Sequence, residues 1–177
     1  MTLKASEALN LQCYPRYGHT VTMLNKLFNN ATTLEEYNDF VFDPKTMSTV
    51  LDSELGLQTR NHFTSFVPLI DKCAKANIDT VIFTNASLSW VEYCTSKIHP
   101  PFLNSVKVVY PRQTIEMKPN KQAYDNVELL FPTKEEFWFV DDSTSNLVEP
   151  SQRDNWIPFY YTPSSTIKNI QDHFGLI

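Results

Sequence analysis

Three short segments carry side chains suited to a phosphorylated ligand. Thr84-Asn85 follows the apolar run 79–83, Asp141-Asp142-Ser143 follows Phe137-Trp138-Phe139-Val140, and Lys118-Pro119 stands ahead of the segment leading into the second run. Adjacent carboxylates in a strand-end turn are costly unless protonated or neutralised, and a hard cation such as Mg2+ is the usual neutraliser. A threonine hydroxyl can hold a phosphoryl oxygen, and a lysine ammonium can compensate its charge. Thr84, Lys118, Asp141 and Asp142 on one rim would make a site for a phosphorylated small molecule and Mg2+. Singly, each has an ordinary reading: Thr84-Asn85 as a strand-to-turn transition, Asp141-Asp142-Ser143 as a helix N-cap, Lys118 as a solvated lysine. Their joint order favours the site.

Open α/β sheets bind ligands outside the carboxyl ends of their strands, so the surrounding elements must deliver these residues there. The first 60 residues carry apolar residues at spacings of three and four, through Leu3, Leu11, Val21, Leu24, Leu27, Leu34, Tyr37 and Val41, and predict helices. Thr32 or Thr33 caps the third of these, Glu35 and Glu36 sit in its first turn, and Asp43-Pro44 ends it. From residue 61 the pattern alternates. Helices are predicted at 61–76, 87–98, 120–130, from 143 onward and at 166–174. Strands are predicted at 79–84, 106–110, 137–140 and 157–161. The fold class is therefore α/β, a doubly wound parallel sheet.

Composition narrows the functions. The net charge is −5 with the basic residues scattered, which argues against nucleic acid. Gly18, Gly56 and Gly175 are the only glycines, too few for a glycine-rich phosphate loop. Cys13, Cys73 and Cys94 are odd in number and widely spaced, and His19, His62, His99 and His173 lack ligand spacing, so neither a disulfide framework nor a histidine or cysteine metal site is expected. No signal peptide and no membrane span is read, and a cytoplasmic location is the default.

The order IFTN (82–85), KP (118–119) and FVDDSTSN (139–146) resembles motifs II, III and IV of the haloacid dehalogenase (HAD) superfamily, and within it the pyrimidine 5'-nucleotidase-like phosphatases. The motifs are 34 residues apart from Thr84 to Lys118 and 23 from Lys118 to Asp141. Upstream, EALNLQCYPRYGHT (7–20) and EEYNDFVFD (35–43) resemble the helical cap of those enzymes, so the likeness runs from about Ala5 to Tyr161. It implies a helical cap remnant over 1–60 and a HAD-like α/β core over 61–177. It also implies hydrolysis of a phosphomonoester, with a pyrimidine nucleotide as a natural substrate, and Mg2+ as cofactor. Asp142 would be the main metal ligand with Asp141 in support. Thr84, Asn85 and Lys118 would bind phosphate, Thr84 and Lys118 acting in catalysis, and Tyr17 and Gly18 would face the substrate from the cap.

One part of the pattern is missing. These phosphatases attack phosphorus with the first Asp of a DxD motif that ends a central strand, and no DxD occurs in this sequence. The expected sheet is then incomplete, its motif I strand absent, with two inner edges that a partner chain could fill by donating a strand. The expectation is a related phosphatase inactive as this chain alone; the alternative is a catalytically silent binding or regulatory module, or a truncated gene product. A rival placement makes Phe40-Val41-Phe42-Asp43 a strand with Asp43 as nucleophile, although Lys45 stands where the second Asp belongs.

Overall fold

The computed structural model describes residues 19–29, 32–54, 56–57, 64–98 and 106–176. The chain is mixed α/β. Its elements run α1 (Thr20–Leu27), α2 (Leu34–Val41), α3 (Pro44–Leu51), α4 (Val67–Lys75), β1 (Val81–Phe83), α5 (Leu88–Ile98) and β2 (Lys107–Val109), followed by α6 (Lys121–Leu130), β3 (Phe137–Asp141), α7 (Thr144–Leu147), β4 (Trp156–Tyr160) and α8 (Ile167–His173). The four strands fall where the apolar β-branched and aromatic runs predicted them, and every pairing is parallel. They form two separate pairs rather than one continuous sheet: β1 with β2, and β3 with β4. Two compact units hold them, residues 1–39 with 111–160, and 40–110 with 161–177.

In the first unit, α1 is capped by His19, whose backbone is extended and whose Nδ1 accepts the Val21 amide at 3.1 Å. Thr33 and Glu36 cap α2 reciprocally: the Thr33 hydroxyl accepts the Glu36 amide, and the Glu36 carboxylate accepts the Thr33 amide. This is the capping predicted from Thr33 and the acidic first turn. Val21, Leu34 and Met117 pack together with Tyr37 against them. Around β3 and β4 the core is aromatic. Tyr124 of α6 is fully buried, edge-on to Phe139 and Trp156, and Phe137 stacks on Trp156. Each such ring contributes roughly 1.5–3 kcal/mol by leaving water, which gives this short sheet a floor to rest on.

The register of β3 on β4 has a directional consequence. The Phe137 amide donates to the Asn155 carbonyl, so with Phe137 opposite Trp156 the main-chain groups of Phe137, Phe139 and Asp141 turn to β4, while those of Val140 turn to the opposite edge. On β4 the same alternation puts Pro158 on the outer side, where its missing N–H removes a donor and blunts that edge.

In the second unit, Asn77 adopts a left-handed φ of 57° after α4. The Ile78 amide then closes on the Cys73 carbonyl at 2.8 Å, a C-cap that turns the chain into β1. Leu69, Cys73, Val91, Val109 and Ile170 are buried here, and Phe42 stacks on Trp90. The segment Phe40–Asp43 is not a strand. Phe40 and Val41 complete α2, and Asp43 is the N-cap of α3, its carboxylate accepting the Lys45 and Thr46 amides at 3.0 and 3.3 Å with Pro44 in the first turn. The physical reason is local: Asp-Pro is a strong helix start as well as a helix stop.

Candidate functional site

Lys118 and Asp141 come together in the first unit. Lys118 lies between a short 3-10 turn (Thr114–Glu116) and α6, next to buried Met117, and Asp141 is the last residue of β3. Their side chains are 8% and 6% exposed, and Nζ stands 2.6 Å from Oδ2. The ammonium also sits 5.3 Å from the Phe139 ring centroid, inside the range of a cation–π contact. Burial of this kind costs each charge its hydration, which only close pairing and further hydrogen bonds offset. Asp141 has both. Its Oδ1 accepts the Ser143 amide at 2.8 Å and the Asn146 carboxamide at 3.0 Å. Asn146 is held in turn, since the Tyr124 hydroxyl donates to its carbonyl at 2.6 Å.

Asp142 is the opposite case. It is exposed, and its carboxylate forms no hydrogen bond among the described residues. The two adjacent carboxylates therefore divide their roles: Asp141 is neutralised by Lys118, and Asp142 faces water. With three of its roughly four lone-pair positions occupied, Asp141 is poorly placed to lend a second oxygen to a cation. Among the described residues no group of three or more His, Cys, Asp or Glu side chains gathers where a metal ion would sit. This donor set fits a hydrated Mg2+ ion on Asp142 with water in most positions, and does not fit a tight all-protein site.

Thr84 and Asn85 belong to the second unit. The Thr84 amide continues the β1–β2 ladder by donating to the Val109 carbonyl at 3.0 Å, and its Oγ1 accepts the Ala86 amide at 3.0 Å. That turn is the ordinary strand-end role of Thr84. Ser87 then opens α5, its Oγ accepting the Trp90 amide. Tyr17 and Gly18, the expected cap contacts, lie outside the described residues, as do Cys13, His62 and His99.

Other groups with reactive potential are accounted for structurally. Burial lowers the His19 imidazole to about 4 and raises the Cys94 thiol to about 11, and it also pushes the Cys73 thiol up. Neither cysteine is a ready thiolate. Asp43 is held below the usual carboxylate range by hydrogen bonds from Thr46, side chain then backbone. Arg153 is engaged by Asp125, Glu128 and Glu149 and its guanidinium lies over the Tyr124 ring. The sequence reading assigned no role to Asn146 or Tyr124. Asn146 stands in the quoted FVDDSTSN stretch, but only the turn after β3 brings its carboxamide back to Asp141. Tyr124 reads as one more apolar residue of α6. Comparison with protein-family models, with curated proteins and with solved structures returns no match for this chain.

Proposed function

We propose that the chain is a HAD-like phosphatase relative, akin to the pyrimidine 5'-nucleotidases, which binds a phosphorylated small molecule and as this chain alone does not turn it over. The observation that carries this reading is the buried Lys118–Asp141 pair at 2.6 Å closing β3, with exposed Asp142 next to it. An ammonium held by a carboxylate beside a second, solvated carboxylate is the arrangement expected of a phosphate and Mg2+ site at a strand end. Mg2+ on Asp142 would supply charge neutralisation for a phosphoryl oxygen. Lys118 would contribute the protein's own positive charge. A cytoplasmic site of action is part of the same reading; no described helix is long and apolar enough to cross a membrane.

Absence of turnover follows from chemistry. A covalent carboxylate mechanism needs a nucleophile and a second acid–base group; no DxD exists in the 177 residues, and Asp43 is the cap of a helix. The silent-module reading is favoured by the same satisfaction of Asp141, since a fully paired carboxylate binds and positions without attacking. A partner chain could contribute an extended strand. In the first unit it would pair along the β3 edge to which Val140 turns its main chain, the β4 edge being blunted by Pro158. The test is direct: inorganic phosphate and a pyrimidine nucleoside monophosphate are titrated into the chain with Mg2+, and hydrolysis is followed in parallel. Binding lost in Lys118→Ala, without hydrolysis, is the expected result. Affinity unchanged by Lys118→Ala would overturn the assignment.

A further inference from the structure

Between α6 and the turn after β3 runs a chain of contacts that reaches the Lys118–Asp141 pair through two residues the proposed function does not use. The Tyr124 hydroxyl donates to the Asn146 carbonyl at 2.6 Å, the Asn146 carboxamide donates to Asp141 Oδ1 at 3.0 Å, and Asp141 Oδ2 takes Lys118 Nζ at 2.6 Å. We infer that Tyr124 and Asn146 are positioning residues, a two-bond relay that fixes the Asp141 carboxylate so that Lys118 is presented in one place. The inference deepens the phosphate-site reading and rests on it for its purpose, though not for its geometry.

Three observations support a relay rather than incidental contact. The two oxygens of Asp141 have separate tasks, Oδ1 anchored by Asn146 and Ser143, Oδ2 given to Lys118. A carboxylate anchored at one oxygen cannot rotate the other away without breaking hydrogen bonds to a charged group, which are the stronger kind. The anchor is itself rigid: Tyr124 is fully buried, packed edge-on against Phe139 and Trp156 and lies under the Arg153 guanidinium. Burial and the charge of Asp141 push its phenol well above the ordinary range, so it remains a donor. A side chain this confined fixes the position of what it bonds to, which is what a site tolerant of only small displacements needs.

The experiment reads the Lys118 ammonium in the full 177-residue chain labelled with 15N-lysine. A buried, paired ammonium exchanges its protons slowly, whereas exposed Lys121 and Lys134 serve as fast references. Asn146→Ala should accelerate Lys118 exchange about tenfold, the equivalent of one hydrogen bond to a charged group. Tyr124→Phe, which keeps the ring and deletes only the hydroxyl, should accelerate it in the same direction by less. Because the two bonds act in series, Tyr124→Phe added to Asn146→Ala should bring no further change. Backbone amide exchange in β3, measured on the same samples, should stay as in the parent. Unchanged Lys118 exchange in both single variants overturns the relay, and so does an increase that merely matches the β3 amides, because that is loss of structure. Addition of inorganic phosphate separates the two ideas: a Lys118 signal blind to phosphate overturns the phosphate reading, whatever the variants do.

Discussion

Asp141 is held by three hydrogen-bond donors, one of them the Lys118 ammonium, in a place nearly closed to water, so removing either charge breaks a buried ion pair. Asp141→Ala is expected to cost ~3–5 kcal/mol, the usual penalty for losing one member of such a pair. Lys118→Met should cost less, because Asp141 keeps the Ser143 and Asn146 donors. Asp142→Ala should change stability by no more than ~0.5 kcal/mol while removing the Mg2+ binding proposed for it. Urea denaturation ranks the three, and equal costs for Asp141→Ala and Asp142→Ala would contradict the division of roles. His19 adds a pH dependence. Burial holds its imidazole at about 4 instead of 6.5, and the neutral Nδ1 accepts the Val21 amide. Between about 6.5 and about 4 the unfolded chain binds this proton and the folded chain does not, so stability falls as pH is lowered through that window and this contribution is flat outside it. The loss is on the order of 3 kcal/mol. Replacing His19 by Asn, which can still cap, should make the fall between pH 7 and 4.5 shallower; identical pH profiles for parent and variant would refute the assignment.

At the scale of elements, what was legible in the sequence was what is local. Thr33 and Glu36 announce α2 because both halves of the cap lie within four residues, and Thr33→Ala should cost ~1 kcal/mol in thermal or urea unfolding. The strands β1 and β3 were readable as short apolar runs bounded by polar turns. The helix α3 was not, because Asp43-Pro44 looks like a terminator from the upstream side and is a cap with a first-turn proline from the downstream side. Nor was the division of four strands into two pairs readable from local pattern, since pairing depends on contacts between residues far apart in the chain. In the site, Lys118 and Asp141 were each singled out by type and order, one for phosphate and one for a cation, but their salt bridge to each other was not legible. Asn146 and Tyr124 were not, since a carboxamide five residues after Asp141 and a tyrosine in a helix carry no signal until the turn is built. The β4 edge offers a further test. Pro158 faces outward where a residue with an N–H would extend the sheet, so Pro158→Val should promote concentration-dependent association, seen by light scattering, that the parent lacks.

For the molecule as a whole, the question is whether the proposed phosphate site can exist without turnover, which depends on what each carboxylate has left to give. Asp141 has its charge balanced by Lys118 and its oxygens occupied. Asp142 is solvated and suited to a hydrated cation, a role that excludes attack on phosphorus by the same group. Asp43 caps α3, and its hydrogen bonds with Thr46 and Lys45 favour the charged form while committing the acceptor oxygen. Accepting two amides lowers a carboxylate's basicity and fixes its direction, both unfavourable for a nucleophile that must turn to an incoming phosphorus. Electrostatic binding alone, without a covalent or acid–base partner, lowers the barrier only by what it adds in the transition state over the ground state. The purified chain is therefore expected to hydrolyse pyrimidine nucleoside monophosphates at no more than the background rate with Mg2+ present, and Asp43→Asn should leave that rate unchanged while weakening the start of α3 by ~0.5 kcal/mol or less, Asn being as good a cap. A colorimetric phosphate-release assay against a no-protein control decides it: Mg2+-dependent release that disappears in Asp43→Asn would restore Asp43 as the nucleophile and make the chain an enzyme.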